Sequence, residues 1–155
     1  MKHTVFLESV VPPEWIDELG HMGYLDYQRA ADVATMAFWA AMNDGRGQKE
    51  RAGAEFVIVD IHVRYARELR LGDRFQIATS LADYDEKRML LLHEIESGDQ
   101  LCATVLLLCL SFNLNDRRVR PFASSVLEQL AGRVDRDAFS FHPLHGCMSL
   151  PPQCG

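Results

Sequence analysis

The spacing of apolar residues changes character along this chain. From His3 to Val11 apolar and polar positions alternate loosely, which predicts a first strand. Pro12-Pro13 stops it, because proline cannot donate to a ladder. From Tyr24 to Met42 the spacing becomes three and four, through Tyr27, Ala30, Ala31, Ala34, Ala37, Phe38 and Ala41. That pattern predicts a helix whose buried stripe is mostly alanine, so it can lie close against a sheet. Asn43-Asp44-Gly45 and Gly47 end it. The polar, glycine-rich run from Asp44 to Gly53 reads as a mobile loop.

Four strand patterns follow. In Glu55 to Tyr65, Val57, Val59, Ile61, Val63 and Tyr65 make one face, and Phe56, Ile58, Asp60, His62 and Arg64 the other. Leu71-Gly72-Asp73 turns the chain into a strand through Phe75, Ile77 and Leu81 to about Tyr84. Asp85-Glu86 connects to Met89–Ile95, and Gly98-Asp99 to Leu101–Phe112. That last run is almost wholly apolar, as expected of a central strand covered on both faces. Pro121 to Val134 predicts a short second helix, with Ser125 and Glu128 at capping-box spacing. The order strand, long helix, four strands, short helix argues for an α+β fold with an antiparallel sheet. It fits one domain over 1–139, with 140–155 an extended or disordered tail.

Composition agrees: 155 residues, 48% hydrophobic and 25% charged, suit one globular domain. A net charge of −6 argues against non-specific nucleic-acid binding. The N-terminus has no signal-peptide pattern, and Leu101–Leu110 is too short to span a bilayer. The expectation is a soluble, cytoplasmic protein that binds no membrane. Cys102 and Cys109 lie seven apart, which places them on opposite strand faces, and with Cys147 and Cys154 they give no disulfide framework.

The candidate chemistry gathers between Trp15 and Tyr27. Asp17, Gly20 and His21 lie within five residues, just before the long helix. A helix N-terminus beside an acid and an imidazole can hold an anion or polarise a carbonyl. Each residue also has a plainer reading. Asp17 serves equally as a helix cap or loop acid, His21 as a loop-stabilising hydrogen bond, and Tyr27 as packing. His142-x-x-His145-x-Cys147 matches no standard zinc spacing, so no metal is expected. Nucleophile-elbow, dinucleotide and Walker motifs are absent.

Asp17-x-x-Gly20-His21-Met22 with Tyr27, Val63-Arg64-Tyr65-Ala66-Arg67 through Leu71-Gly72-Asp73, and Cys102-Ala103-Thr104 resemble the hotdog-fold acyl-CoA thioesterases, in their 4-hydroxybenzoyl-CoA thioesterase-like branch. Pro13-Glu14-Trp15-Ile16-Asp17, Asp60-Ile61-His62-Val63-Arg64-Tyr65 and Asp85-Glu86-Lys87-Arg88-Met89 are similar to the betainyl-CoA thioesterases of carnitine breakdown. The resemblance covers roughly residues 5 to 123. It departs at Gly23, where the family often has Asn, and at Val105-Leu106-Leu107, where the betainyl group has a Glu.

The resemblance implies a five-stranded antiparallel sheet wrapped around a long central helix. It implies hydrolysis of an acyl-CoA without a cofactor, since CoA is part of the substrate. Asp17 becomes the catalytic carboxylate, and the backbone N–H groups of Gly23 and Tyr24 face the thioester oxygen. Trp15, Tyr24 and Tyr27 can cage a trimethylammonium group by cation–π attraction, although Trp15 is also ordinary core material. His21 can bond the substrate. Arg64, Arg67, Lys87 and Arg88 can meet CoA phosphates or form a solvated edge, and Arg117, Arg118 and Arg120 compete for that role. The implied assembly is a homodimer or homotetramer with sites at the dimer interface. A hydratase and a non-catalytic acyl-CoA-binding protein are the alternatives.

Overall fold

The computed structural model describes residues 4–140. Strand β1 (Thr4–Val10) leads through a 3-10 turn (Pro13–Trp15) to helix α1 (Tyr24–Met42) and a one-turn helix α2 (Gln48–Arg51). Strands β2 (Ala54–Tyr65), β3 (Arg74–Tyr84), β4 (Arg88–Ser97) and β5 (Gln100–Asn113) follow, then the two-residue β6 (Arg118–Val119). Helices α3 (Ser124–Ala131) and α4 (Arg136–Ser140) close the described chain. Every pairing is antiparallel, and the sheet order is β1-β3-β4-β5-β2, with β6 added beside β5. The expected five strands are present, and β6 is a sixth.

The sheet curls around α1. Each of the four long pairings carries one register shift, at Phe6, Val59, Ala82 and Cys102. An extra residue in one strand bends it and increases its twist. The inner face then closes on α1, whose Ala30, Ala31 and Ala34 are at most 1% exposed. Their small side chains let the sheet approach, and Phe38 fills the remaining space with Phe6 edge-on to it at 5.8 Å. The inner core also takes Ile77, Leu81, Leu91, Ile95, Val105 and Leu107. A second cluster, Ala82, Leu90, Leu92, Leu106 and Leu108, lies on the outer face with Phe139 of α4. β5 is therefore buried on both sides, as its apolar run predicts. Among the described residues no helix is long and apolar enough to cross a membrane.

Four expectations are corrected here. The bulge at Val59 inverts the faces of β2: Phe56 and Ile58 share the inner side with Ile61, Val63 and Tyr65, whereas Asp60, His62 and Arg64 pair with Leu108, Leu106 and Thr104 on the outer side. Cys102 sits at a bulge, so it joins Cys109 in the inner core instead of facing away, and both thiols are free. The Asp44–Gly53 segment is pinned, not a simple loop: α2 places Arg51 Nε 2.7 Å from Glu55 Oε1, and Glu55 Oε2 accepts from Trp39 Nε1 at 2.9 Å. Ser125 caps nothing; α3 starts after Ala123, and Ser125 Oγ accepts from Arg46 instead. The 140–155 tail lies outside the described residues apart from Ser140, which ends α4.

Candidate active site

The motif loop is a small hairpin. Asp17 N–H donates to His21 O at 2.9 Å, Gly20 N–H to Asp17 O at 3.1 Å, and Ile16 bridges Met22. Gly20 has φ +84°, a left-handed angle that closes such a three-residue loop and that a side chain would strain. Asp17 Oδ1 accepts from Leu19 N–H at 2.8 Å and stiffens the turn. Its Oδ2 lies 3.8 Å from His21 Nδ1. The two side chains are 35% and 32% exposed, so solvent or a ligand can reach both. His21 Nδ1 lies 3.1 Å from Met22 O. The carbonyl only accepts, so Nδ1 carries the proton and Nε2 of a neutral ring is left to accept.

Met22 is buried and anchors the loop, donating to Leu69 O at 2.7 Å. Gly23 is the N-cap of α1, but its N–H donates to Trp15 O at 2.9 Å. That amide is therefore engaged within the protein and does not face the site. The next two, of Tyr24 and Leu25, have no hydrogen-bond partner among the described residues, as the first amides of a helix do. Gly23 sits close to its neighbours: an added Cβ would meet the movable Asp26 Oδ2 at 3.1 Å and Asp17 Cβ at an ordinary 3.9 Å.

Beside the loop a cavity of about 270 Å³ is lined by His21, Met22, Tyr24, Tyr27, Tyr65 and the Ala66–Glu68 segment. Tyr27 lies on its floor. Its hydroxyl accepts from Leu69 N–H at 3.0 Å and donates to Arg67 O at 3.4 Å, clamping the segment after β2 onto the helix. Burial raises the Tyr27 pKa, against the lowering effect of the Leu69 N–H. Tyr65 meets Tyr27 edge-on at 5.2 Å, and its hydroxyl donates to Tyr24 O at 2.7 Å. A larger cavity of about 420 Å³ lies between β1, β3, α1 and α3, but no motif residue lines it.

The structure thus brings Asp17, His21, Tyr24 and Tyr27 together, places Arg67 of the expected basic residues beside them and adds Tyr65. It leaves three expected binding residues elsewhere. Trp15 packs on Phe75 at 6.3 Å and does not line the cavity, because the 3-10 turn folds it onto β3. Arg64 stands on the outer face of the sheet, opposite Thr104. Arg88 is opposite Leu110 while Tyr65 is opposite Ala103, so seven residues of β5 separate them. That is roughly 23 Å at about 3.3 Å per residue. Arg88 also pairs with Asp85 at 2.5 Å. In the competing cluster Arg120 pairs with Asp116 at 2.5 Å, and Arg117 stacks over Phe112 at 5.3 Å. No group of three His, Cys, Asp or Glu side chains suited to a metal occurs among the described residues, and His142, His145 and Cys147 lie outside them.

Comparison with known proteins agrees with this fold. Residues 11–130 match the family described as the thioesterase-like superfamily. A betainyl-CoA thioesterase of Pseudomonas aeruginosa is 28% identical over 126 residues, 79% of each chain. An L-carnitine dehydrogenase/betainyl-CoA thioesterase of Agrobacterium fabrum is 33% identical over 93 residues, which are 59% of this chain and 19% of that longer protein. A Staphylococcus aureus protein solved in complex with CoA superposes with a TM-score of 0.78 at 25% identity, covering 97% of this chain and 98% of the other. The matched span holds both the Asp17 loop and the curled sheet around α1, and the chain belongs to the thioesterase-like superfamily as an acyl-CoA thioester hydrolase of the hotdog fold.

Proposed function

We propose that Asp17 is the catalytic carboxylate and that the unpaired amides of Tyr24 and Leu25 receive the thioester carbonyl oxygen. One observation carries this reading: a carboxylate with one oxygen fixed by Leu19 and the other uncommitted except for His21, on a loop that runs into a helix start with two orphan donors. Charge that develops on the carbonyl oxygen is stabilised by such donors and by the helix dipole. Asp17 either attacks the acyl carbon or draws a proton from the attacking water. With water as nucleophile a C–O bond replaces the C–S bond directly; with Asp17 as nucleophile CoA leaves first and water then cleaves the Asp17 acyl anhydride, and in both routes one water is consumed, the acyl group leaves as a carboxylate and CoA leaves as its thiol. His21 is a substrate-side hydrogen-bond partner through Nε2.

The substrate we propose is a short-chain acyl-CoA. Betainyl-CoA is the first to try, because three relatives are named for it and two of those are joined to an L-carnitine dehydrogenase. A place in carnitine breakdown follows from that substrate. We further propose that two copies pair through β2. It is an edge of the sheet, twelve residues long, and carries Ile58, Val59 and Ile61 at 42–50% exposure. A long apolar edge invites pairing with another strand. The test of the site is thiol release from an acyl-CoA panel by wild type and Asp17→Asn. The expected loss is at least about 100-fold. Equal rates for the two proteins overturn the assignment of Asp17.

A further inference from the structure

We propose that Tyr65 is a positioning residue for the hydrolase reaction: its hydroxyl holds and polarises the peptide unit that supplies the Leu25 donor. The proposal rests on the reading of the Tyr24 and Leu25 amides as the donors to the thioester oxygen, and it names what sets the strength of the second.

The carbonyl of Tyr24 and the N–H of Leu25 belong to one planar peptide unit, so whatever fixes that carbonyl also fixes the direction of the N–H on its far side. Tyr65 Oη donates to the carbonyl at 2.7 Å, reaching from β2 to the first turn of α1. A carbonyl oxygen has two lone pairs, so this bond adds to the ladder of the helix and does not displace it. A donor on the oxygen draws electrons from the amide and makes its N–H a better donor, the cooperative effect of chained hydrogen bonds. The Leu25 N–H has no partner among the described residues, so the gain is delivered to a ligand. The preceding peptide is engaged in the same way from within the helix, since Gly23 O accepts from Asp26 N–H at 3.0 Å.

The ring of Tyr65 is held in place for this contact. It is 45% exposed, but Tyr27 packs on it edge-on at 5.2 Å, and Tyr27 is itself fixed by Leu69 and Arg67. Directly after it, Ala66 N–H donates to Cys102 O at 2.8 Å and ties down the end of β2. Packing on Tyr27 needs only the ring. The hydroxyl has no hydrogen-bond partner among the described residues besides the Tyr24 carbonyl, so its contribution lies at the helix start.

The test compares wild type with Tyr65→Phe, which keeps the ring and removes the hydroxyl. One oxyanion donor is worth roughly 10²–10³-fold in kcat, and a chained bond strengthens its neighbour by about 10–30%, so kcat should fall by about two- to eightfold with KM kept within about twofold. The second readout is the infrared band of a carbon-13-labelled carbonyl in a bound ketone analogue of the fastest ester of the panel, with a methylene in place of sulfur. The two amides lower its frequency on binding, and Tyr65→Phe should shrink that shift by about a tenth, because one donor of the pair is weakened. A bond that only ties β2 to α1 moves the urea midpoint and leaves the band where it was, and an unchanged band or an unchanged kcat overturns the role of Tyr65. Should Tyr65→Phe fail to fold, 3-fluorotyrosine at position 65 keeps the contact with a more acidic hydroxyl; the band should then shift further, and an unmoved band overturns the proposal. Equal rates for wild type and Asp17→Asn overturn the Asp17 assignment alone, because the ketone binds without a catalytic carboxylate and still decides Tyr65. No lowering of the band in wild type, or no thiol release from any ester, overturns the donor reading and the role of Tyr65 with it.

Discussion

His93 lies on the inner face of β4 with no exposed surface, and its ring bridges the helix to the sheet. Nε2 is 2.7 Å from Thr35 Oγ1 on α1, and Nδ1 is 2.8 Å from Thr79 Oγ1 on β3. Thr35 has a single proton and donates it to Ala31 O at 2.8 Å, so Nε2 must donate and Nδ1 must accept. The ring is neutral in one tautomer, and burial pushes its pKa down to about 3 from the usual 6.5. Between those values the unfolded chain binds a proton at this site that the folded chain refuses. The stability involved is therefore complete above pH 6.5, falls as the pH drops, and levels off below about 3. Each unit costs about 1.36 kcal/mol, so acidifying from pH 7.5 to 4.5 removes about 2.7 kcal/mol through this residue alone. His93→Gln keeps a donor and an acceptor for the two threonines and does not titrate. Urea unfolding of both proteins at one concentration should show their stability gap shift by about 2.7 kcal/mol between these pH values. Carboxylates titrate alike in both and cancel. A gap constant to within about 0.5 kcal/mol would refute the buried, neutral imidazole.

Two further outcomes follow from the contacts. Tyr27→Phe strips the acceptor from the N–H of Leu69, which is 1% exposed, so urea unfolding should report a loss of about 1–3 kcal/mol, and no loss would mean the clamp contributes nothing. Ile61→Lys places a charge on the apolar edge of β2, so sedimentation velocity should show a dimer for wild type and a monomer for the variant; a monomeric wild type removes the proposed pairing.

The helix was readable to the residue, because nineteen residues of three-and-four spacing between Gly23 and Asn43 leave little freedom in its ends. β5 was readable for a similar reason: its composition demands two covers, and Phe139 with the outer leucines provides the second. The faces of β2 were not. Alternation continues through Val59, and only the pairing with β5 reveals that this residue is extra. One bulge sends Arg64 outward and turns Tyr65 toward Tyr27, so a single unreadable residue misassigned one site member and concealed another. Arg88 was misplaced for a different reason. Its distance from the site depends on strand register along β5, which local spacing does not carry.

Asp17 shows why structural and chemical readings of one residue need not compete. Its Oδ1 holds Leu19 N–H, its backbone closes the hairpin on His21 and Gly20, and its Cβ packs near Gly23. A side chain anchored this way has little rotamer freedom left to lose when a substrate arrives. A Cβ at position 23 would meet Trp15 O and Asp17 Cβ at ordinary contact distances of 3.8 and 3.9 Å and would need only the Asp26 carboxylate, 3.1 Å away, to give by a few tenths of an ångström. Engaging the Gly23 amide with Trp15 then moves the first free donors one residue along, to Tyr24 and Leu25. The plain duties of the loop thus determine which oxygen of Asp17 and which amides of α1 remain for chemistry.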